Sequence, residues 1–269
     1  NNPVYNNKTC YFQKWSQTPI NNSVSAEFTN ANSAETPVLF KQANAVITAE
    51  LKGSLMSNNA GTFEENGQRK IIRTTYDNNL HAVYESMGKI WYEKSTNNGG
   101  TWQLMNNHQP LNTNEAKNPS IAFESNGYVV IVFQEKYGDT YDIKLKMINY
   151  AADIIYSTQS FQTYYPWIQE AHPVLGIANY SSFTYYLLAW DTQTVDEWLP
   201  GGIYYLYGYP NNNGSAILWE DEPQIMPLTD GTCSNPTVMG SRTYPVVFHF
   251  AYQQDISSTS SSVWYQADT

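Results

Sequence analysis

Four polar side chains stand out chemically, because each directly follows an aromatic residue at an equivalent position in four aligned segments. They are Glu85, Gln134, Asp191 and Gln253. Their amides and carboxylates can bind sugar hydroxyl groups, and the preceding rings, among them Tyr84 and Trp190, can stack on sugar rings. Glu85 and Asp191 are also a candidate general acid and base pair of the kind that hydrolyses glycosides. Alternatively, these positions are strand ends that take a polar residue because they reach solvent.

The aligned segments predict the elements that position these side chains. Each segment contains a short strand, a largely apolar strand and an aromatic-rich strand. Pro119, Pro173 and Pro236 open three of the segments at spacings of 54 and 63 residues, which is the size of a β-propeller blade. A strand that is apolar on both faces suits a position between neighbouring blades. We therefore predict an all-β propeller of four-stranded antiparallel blades, with four recognisable repeats.

An eight-residue segment after the third strand of the first repeat strengthens this prediction. Residues 95–102 fit the pattern Ser-x-Asp-x-Gly-x-Thr-Trp, except that Asn97 replaces Asp. In such a turn the Asn oxygen accepts hydrogen bonds from its own backbone, the glycine adopts a positive φ, and the tryptophan packs against the sheet. The alternative is an ordinary Gly-Gly hairpin. The predicted structural residues are Ser95, Asn97, Gly99, Thr101 and Trp102.

The segment resembles the Asp box, or BNR repeat, of exported bacterial sialidase-like β-propellers, and the resemblance covers residues 66 to 269. Sialidases bind their substrate carboxylate with three arginines from separate blades and use an Asp as acid/base. Arg73 and Glu85, twelve residues apart, lie near the family's Arg-Ile-Pro arginine and its Asp, but the Pro is missing. Arg69 and Arg73 share one segment, and Arg242 is the only other arginine. The sequence therefore predicts no convergent arginine triad and no cleavage of sialic acid. The candidate catalytic residues, if any act, are Arg73, Glu85 and Asp191.

Composition narrows the classes of partner. The chain carries a formal net charge of −10, so repulsion from nucleic acid and anionic lipid is expected. No apolar run is long enough to span a membrane, and no cofactor or metal motif is present in the sequence. The first residues lack the basic and apolar regions of a signal peptide, which we interpret as a targeting peptide already removed.

These observations favour a secreted or cell-surface, non-catalytic β-propeller that binds a glycan or another surface partner, such as a cell-surface protein. A glycoside hydrolase of sialidase-like fold is one alternative. A structural surface protein that assembles into homo-oligomers or polymers is another, because 22 Tyr in a chain with only 14% charged residues favour protein contacts.

Two cysteines and the N-terminal segment bear on how the ring closes. Residues 67–269 hold the predicted blades, whereas residues 1–66 contain strands that either complete the ring or precede part of a larger propeller. A disulfide between Cys10 and Cys233 would join the N-terminal segment to the last repeat, where the ends of a ring must meet. The alternative is two unpaired thiols, each buried as a small apolar group.

Overall fold

The computed structural model describes residues 2–5, 8–62, 68–125, 127–149, 154–162, 171–180, 183–192, 202–211, 214, 216–226, 232–257 and 260–268. The chain forms two compact units. The first comprises Asn1–Met56 with Asn107–Gln109, and the second comprises Ser57–Asn106 with Pro110–Thr269. The division therefore lies at Met56, ten residues before the boundary that the repeats indicate.

The first unit contains two small antiparallel sheets. Its strands are β1 (Val4–Tyr5), β2 (Lys8–Gln17), β3 (Ala26–Phe28), β4 (Val38–Phe40) and β5 (Ile47–Gly53), paired in the orders β1-β2-β5 and β3-β4. The buried Lys52 ammonium donates hydrogen bonds to the carbonyl oxygens of Gly53 (2.5 Å) and Met56 (2.7 Å), which satisfies a charge that burial would otherwise make costly.

The second unit is built from consecutive antiparallel sheets, which are blades 1 to 4. Blade 1 contains β6 (Ile71–Arg73), β7 (Leu80–Ser86), β8 (Lys89–Ser95) and β9 (Gln103–Leu104). Blade 2 contains β10 (Ala116–Glu124), β11 (Tyr128–Tyr137), β12 (Thr140–Asn149) and β13 (Ile154–Gln162). Blade 3 contains β14 (Val174–Tyr180), β15 (Phe183–Thr192), β16 (Gly202–Pro210), β17 (Ile217–Trp219) and β18 (Gln224–Ile225), with β18 also paired to β16. Blade 4 contains β19 (Thr232–Gly240), β20 (Phe248–Ser257) and β21 (Ser260–Asp268).

The predicted all-β propeller is confirmed. Among the described residues the only helical element is a 3-10 turn at Asn106–His108. Within the described ranges, no helix is long and apolar enough to cross a membrane. The apolar second strands β7, β11 and β15 are buried, as expected for strands covered on both faces.

Neighbouring blades share their hydrophobic cores. One core joins blades 1 and 2, a second joins blades 2 and 3, and a third joins blades 3 and 4. The backbones of blades 3 and 4 approach each other closely at Gly240, where an added Cβ would lie 2.3 Å from the carbonyl carbon and oxygen of Ile177. Only glycine permits this approach.

The predicted disulfide is wrong, because Cys10 and Cys233 are both free and both buried. Each thiol packs as a small apolar group in its own unit. The Cys10 sulfur lies against Gly53, whereas Cys233 belongs to the core that joins blades 3 and 4. Burial, followed by the charge of Asp255, raises the pKa of the Cys233 thiol, which makes this thiol less reactive.

The turn at residues 95–102 is closed by its own side chains. Asn97 Oδ1 accepts hydrogen bonds from the Thr101 backbone N–H (2.8 Å) and from Ser95 Oγ (3.0 Å). Ser95 Oγ in turn accepts from the Gly99 N–H (2.8 Å), and Gly99 has a φ of +87°. Trp102 donates its indole N–H to the Gly99 carbonyl (3.1 Å) and is half-buried rather than fully buried against the hairpin.

Replacing Trp102 with Ala should therefore lower the free energy of unfolding by about 2 kcal/mol, below the range of a fully buried tryptophan. The loss arises from the indole contacts and from the hydrogen bond to Gly99. Urea denaturation of the variant and the wild type measures it. A change within about 0.5 kcal/mol of zero would show that the indole does not hold the turn.

His81 is a buried titratable group in blade 1. Its Nδ1 lies 2.7 Å from the Tyr92 hydroxyl, and the two rings stack. Burial is the main cause that lowers its pKa to about 4, and the charge of Lys94 adds to the effect while Asp77 opposes it. The native protein therefore holds this imidazole neutral at pH values where the unfolded chain protonates it.

Acidification should destabilise the protein through His81. As pH falls from about 6.5 to 4, the unfolded chain binds a proton at His81 that the native state does not bind. The free energy of unfolding therefore decreases across this window, by up to about 3 kcal/mol relative to its value above pH 6.5. Denaturation at several pH values checks the slope for the wild type and for His81→Gln. Equal slopes in the two proteins would contradict the assignment.

Candidate functional site

A cavity of 560 Å³ lies between the first strands of all four blades in the second unit. Its walls come from β6, from the C-terminal ends of β10 and β19, and from the middle of β14. Apolar side chains form much of the wall, including Phe123, Ile177 and Met239. The polar lining residues are Arg69, Arg73, Ser241, Arg242 and His249.

All three arginines of the chain line this cavity. Arg69 precedes β6, Arg73 ends it, and Arg242 follows β19 in blade 4. Blade 4 thus brings Arg242 to the cavity that Arg69 and Arg73 line from a single segment of blade 1, so the three arginines come from two blades rather than three. Burial, followed by the charge of Arg242, lowers the pKa of Arg69. The two guanidinium groups are thus close enough to repel each other.

Among the residues that the structure describes, no carboxylate forms an ion pair with the arginine cluster. In the described parts of the chain, no Asp or Glu oxygen lies within 4.0 Å of any of the three guanidinium groups. Arg73 instead donates to the Asn78 carbonyl oxygen (2.8 Å) and side-chain oxygen (3.3 Å). Like charges gathered without counter-charges are unfavourable, and a bound anion would relieve the repulsion. Guanidinium forks bind carboxylates and phosphates through paired, charge-assisted hydrogen bonds.

His249 lines the cavity and is held in place by Tyr265. His249 Nδ1 lies 2.5 Å from the Tyr265 hydroxyl, and the two rings stack, so the orientation of the imidazole is fixed. Among the described residues that line the cavity there is no Asp or Glu. The described lining can therefore hold an anion and contact apolar groups, but it does not supply the two carboxyl groups that glycoside hydrolysis uses.

Exposed aromatic residues occur at the same end of the blades. Tyr76 lies in the turn between β6 and β7 and is 78% exposed, and Tyr244 lies between β19 and β20 and is 73% exposed. Phe183, the first residue of β15, is 61% exposed. Flat rings of this kind are suitable platforms for sugar rings.

The four predicted ligand-binding side chains lie elsewhere. They lie within the second strands, toward the C-terminal ends of those strands. None of them lines the arginine cavity. In blade 1, Arg73 pairs with Leu80, and Glu85 is five residues farther along β7, roughly 17 Å at 3.4 Å per residue. The structure therefore does not bring the candidate catalytic residues Arg73 and Glu85 together.

These polar side chains bind backbone and side-chain groups of the blades. Asp191 accepts hydrogen bonds from the backbone N–H groups of His172 (2.7 Å) and Asn235 (2.8 Å), and its carboxylate also contacts His172 Nδ1 (2.9 Å). It thus links the segment just before β14 in blade 3 to β19 in blade 4. The other three side chains also form hydrogen bonds within the protein. Gln134 accepts from Asn118 and from the Ala171 N–H, Gln253 accepts from Asn235, and Glu85 accepts from Asn59.

The aromatic residues that precede these positions are packed inside the blades. Tyr84 is 1% exposed and donates its hydroxyl hydrogen bond to buried Glu93. Trp190 is 5% exposed and stacks on Tyr204. Neither ring has an open face on which a sugar could stack.

The chain is similar in fold to solved glycoside hydrolases. No known protein family matches the sequence, and no curated protein matches it. The NanB sialidase from Streptococcus pneumoniae is 11% identical with a TM-score of 0.53, and the match covers 93% of this chain and 39% of that one. A thermostable family-43 glycoside hydrolase is also similar, with 13% identity and a TM-score of 0.46, and the match covers 99% of this chain and 91% of that one. An endo-1,4-beta-xylanase from Bacteroides thetaiotaomicron is 11% identical with a TM-score of 0.45, and the match covers 97% of this chain and 86% of that one. The chain thus spans about two fifths of the length of the sialidase, and it has the fold of a sialidase-like propeller.

Proposed function

We propose that this protein binds an acidic glycan, with a sugar carboxylate held by Arg69, Arg73 and Arg242. The observation that carries the proposal is the convergence of all three arginines, without a carboxylate partner among the described residues, on one cavity. The chain has a net charge of −10, so a local cluster of positive charge is unusual on it, and binding of an anionic ligand accounts for such a cluster.

The surroundings of the arginines favour a sugar over a simple inorganic anion. The cavity volume of 560 Å³ lies within the range of small-molecule sites, and its wall is mainly apolar with a few polar groups. Exposed Tyr76 and Tyr244 flank the same end of the blades and offer stacking surfaces. The sialidase-like propeller fold, which this chain shares with the NanB sialidase, is consistent with this ligand class.

The location we propose is extracellular or at the cell surface, where acidic glycans are available.

The turn at residues 95–102, in which Asn97 binds its own turn, supports membership of the Asp-box propellers. The glycan is the proposed partner: the arginine cavity compensates the charge of one sugar carboxylate, whereas the net charge of −10 disfavours extended anionic partners such as nucleic acid and anionic lipid surfaces.

A glycan array tests the proposal. Oligosaccharides that carry uronic or other carboxylated sugars should bind, neutral oligosaccharides of the same length should not, and binding should weaken as salt rises. Binding of neutral sugars alone would reject the arginine cavity as the site. No binding, together with self-association of the protein, would instead favour the structural surface protein.

A glycoside hydrolase is the second candidate, supported by the likeness in fold to the pneumococcal sialidase. Its acid/base pair would be Glu85 and Asp191, at the ends of the blades away from the arginines. A panel of aryl glycosides tests it, since turnover lost in both Glu85→Gln and Asp191→Asn would establish catalysis. We expect no turnover of a fluorogenic sialoside, because the described lining of the arginine cavity contains no carboxyl group.

A further inference from the structure

A second cavity adjoins the arginine cavity and shares part of its wall. It has a volume of 240 Å³ and is lined by Thr75, Phe123, Ser125, Asn179 and Arg242. Phe123 and Arg242 line both cavities, so a ligand in the first lies next to a ligand group in the second. The side chains that belong to the second cavity alone are all neutral and polar.

Asn179 is held in a fixed orientation in this second cavity. Its side-chain oxygen accepts hydrogen bonds from Thr184 Oγ1 (3.0 Å) and Ser125 Oγ (3.2 Å), and its backbone N–H donates to the Ser241 carbonyl (3.0 Å). Both acceptor positions of the side-chain oxygen are thereby used. Within the described residues the amide NH₂ group of Asn179 has no hydrogen-bond partner, so it remains a donor for a ligand.

The two cavities therefore differ in the chemistry that they recognise. The first holds three cations and suits a carboxylate, whereas the second offers the Thr75 and Ser125 hydroxyls and the Asn179 amide, which suit the hydroxyl groups of a neutral sugar. Arg242 stands at the junction.

We infer that the ligand is an oligosaccharide of at least two units, with an acidic unit in the arginine cavity and a neutral unit in the second cavity. This inference rests on the proposed binding of an acidic glycan, and it adds the length and the mixed charge of the ligand. Two subsites joined by one arginine should favour the linked pair over the separate sugars, because the second unit then binds without a separate cost of association.

Calorimetric titration with glucuronic acid, and with a disaccharide in which glucuronic acid is linked to a neutral hexose, tests the inference. The disaccharide should bind at least tenfold more tightly than glucuronic acid. Asn179→Ala and Thr75→Val should each reduce this advantage and leave the affinity for glucuronic acid unchanged, since both residues line only the second cavity. The Thr75 side chain makes no hydrogen bond to the described residues, so its variant should fold even if Asn179→Ala does not. Asn32→Ala, at an exposed position of the first unit, is the matched control.

The outcomes separate the two proposals. If glucuronic acid binds through the arginines but the disaccharide binds no more tightly, and Thr75→Val has no effect, the second subsite is rejected and acidic-glycan binding stands. If Arg242→Gln binds both sugars as the wild type does, the arginine cavity itself is rejected.

Discussion

Replacing Arg242 with Gln is expected to weaken the binding of an acidic disaccharide by roughly 30- to 150-fold, and Arg69→Gln should do the same. Each substitution removes a charge-assisted hydrogen bond to the carboxylate, which contributes about 2–3 kcal/mol in a partly desolvated site, and 1.4 kcal/mol corresponds to a tenfold change in affinity. Arg242→Lys should lie between wild type and Arg242→Gln, because Lys keeps the charge but loses the planar fork. Calorimetric titration gives the dissociation constants.

The stability of these variants is the internal control. Arg69 and Arg242 repel each other, so the loss of either charge should leave the melting temperature unchanged or slightly raised. Lys41→Gln, which removes an exposed charge in the first unit, should not alter binding. Unchanged affinity in both Arg69→Gln and Arg242→Gln would contradict the assigned role of the cavity.

Gly240→Ala is expected to lower the free energy of unfolding by about 3 kcal/mol, which corresponds to a melting temperature roughly 10 °C lower. The new Cβ would lie 2.3 Å from the carbonyl group of Ile177, and this backbone cannot move aside without separating blades 3 and 4. Gly240 also lines the arginine cavity, so the displaced strand should weaken ligand binding as well. Urea and thermal denaturation measure the loss.

Gly138→Ala is the matched control for this effect. Gly138 has a φ of +63°, but an added Cβ would meet nothing within 4 Å. The Gly138→Ala variant should therefore lose only about 1 kcal/mol of unfolding free energy, because its one cost is the backbone strain of a left-handed conformation. A cost for Gly240→Ala no larger than that for Gly138→Ala would show that the blades can separate easily at this point.

The architecture could be predicted because it depends on pattern. An apolar strand covered on both faces, repeated four times with a proline before three of the copies, is compatible with few folds other than a propeller. The turn at Asn97 follows from local chemistry, since its bonds join residues within eight positions of one another. The disulfide could not be predicted, because pairing depends on distances between distant segments, and both thiols are buried separately in their units.

The candidate site was harder to predict because it depends on which end of each strand faces the cavity. The repeat positions of Glu85 and Asp191 drew attention to the C-terminal ends of the second strands, where the side chains bind the blades themselves. The informative signal is that Arg73 ends the first strand of blade 1 and Arg242 follows the first strand of blade 4, so both lie at the same end of the blades.

The most direct test of the acidic-glycan proposal is a titration of the wild-type protein with two disaccharides that differ only in whether one sugar carries a carboxylate or a hydroxymethyl group. The arginine cavity predicts that the acidic form binds at least a hundredfold more tightly, and that the difference shrinks as salt is raised. Equal affinity for the acidic and neutral forms would contradict it.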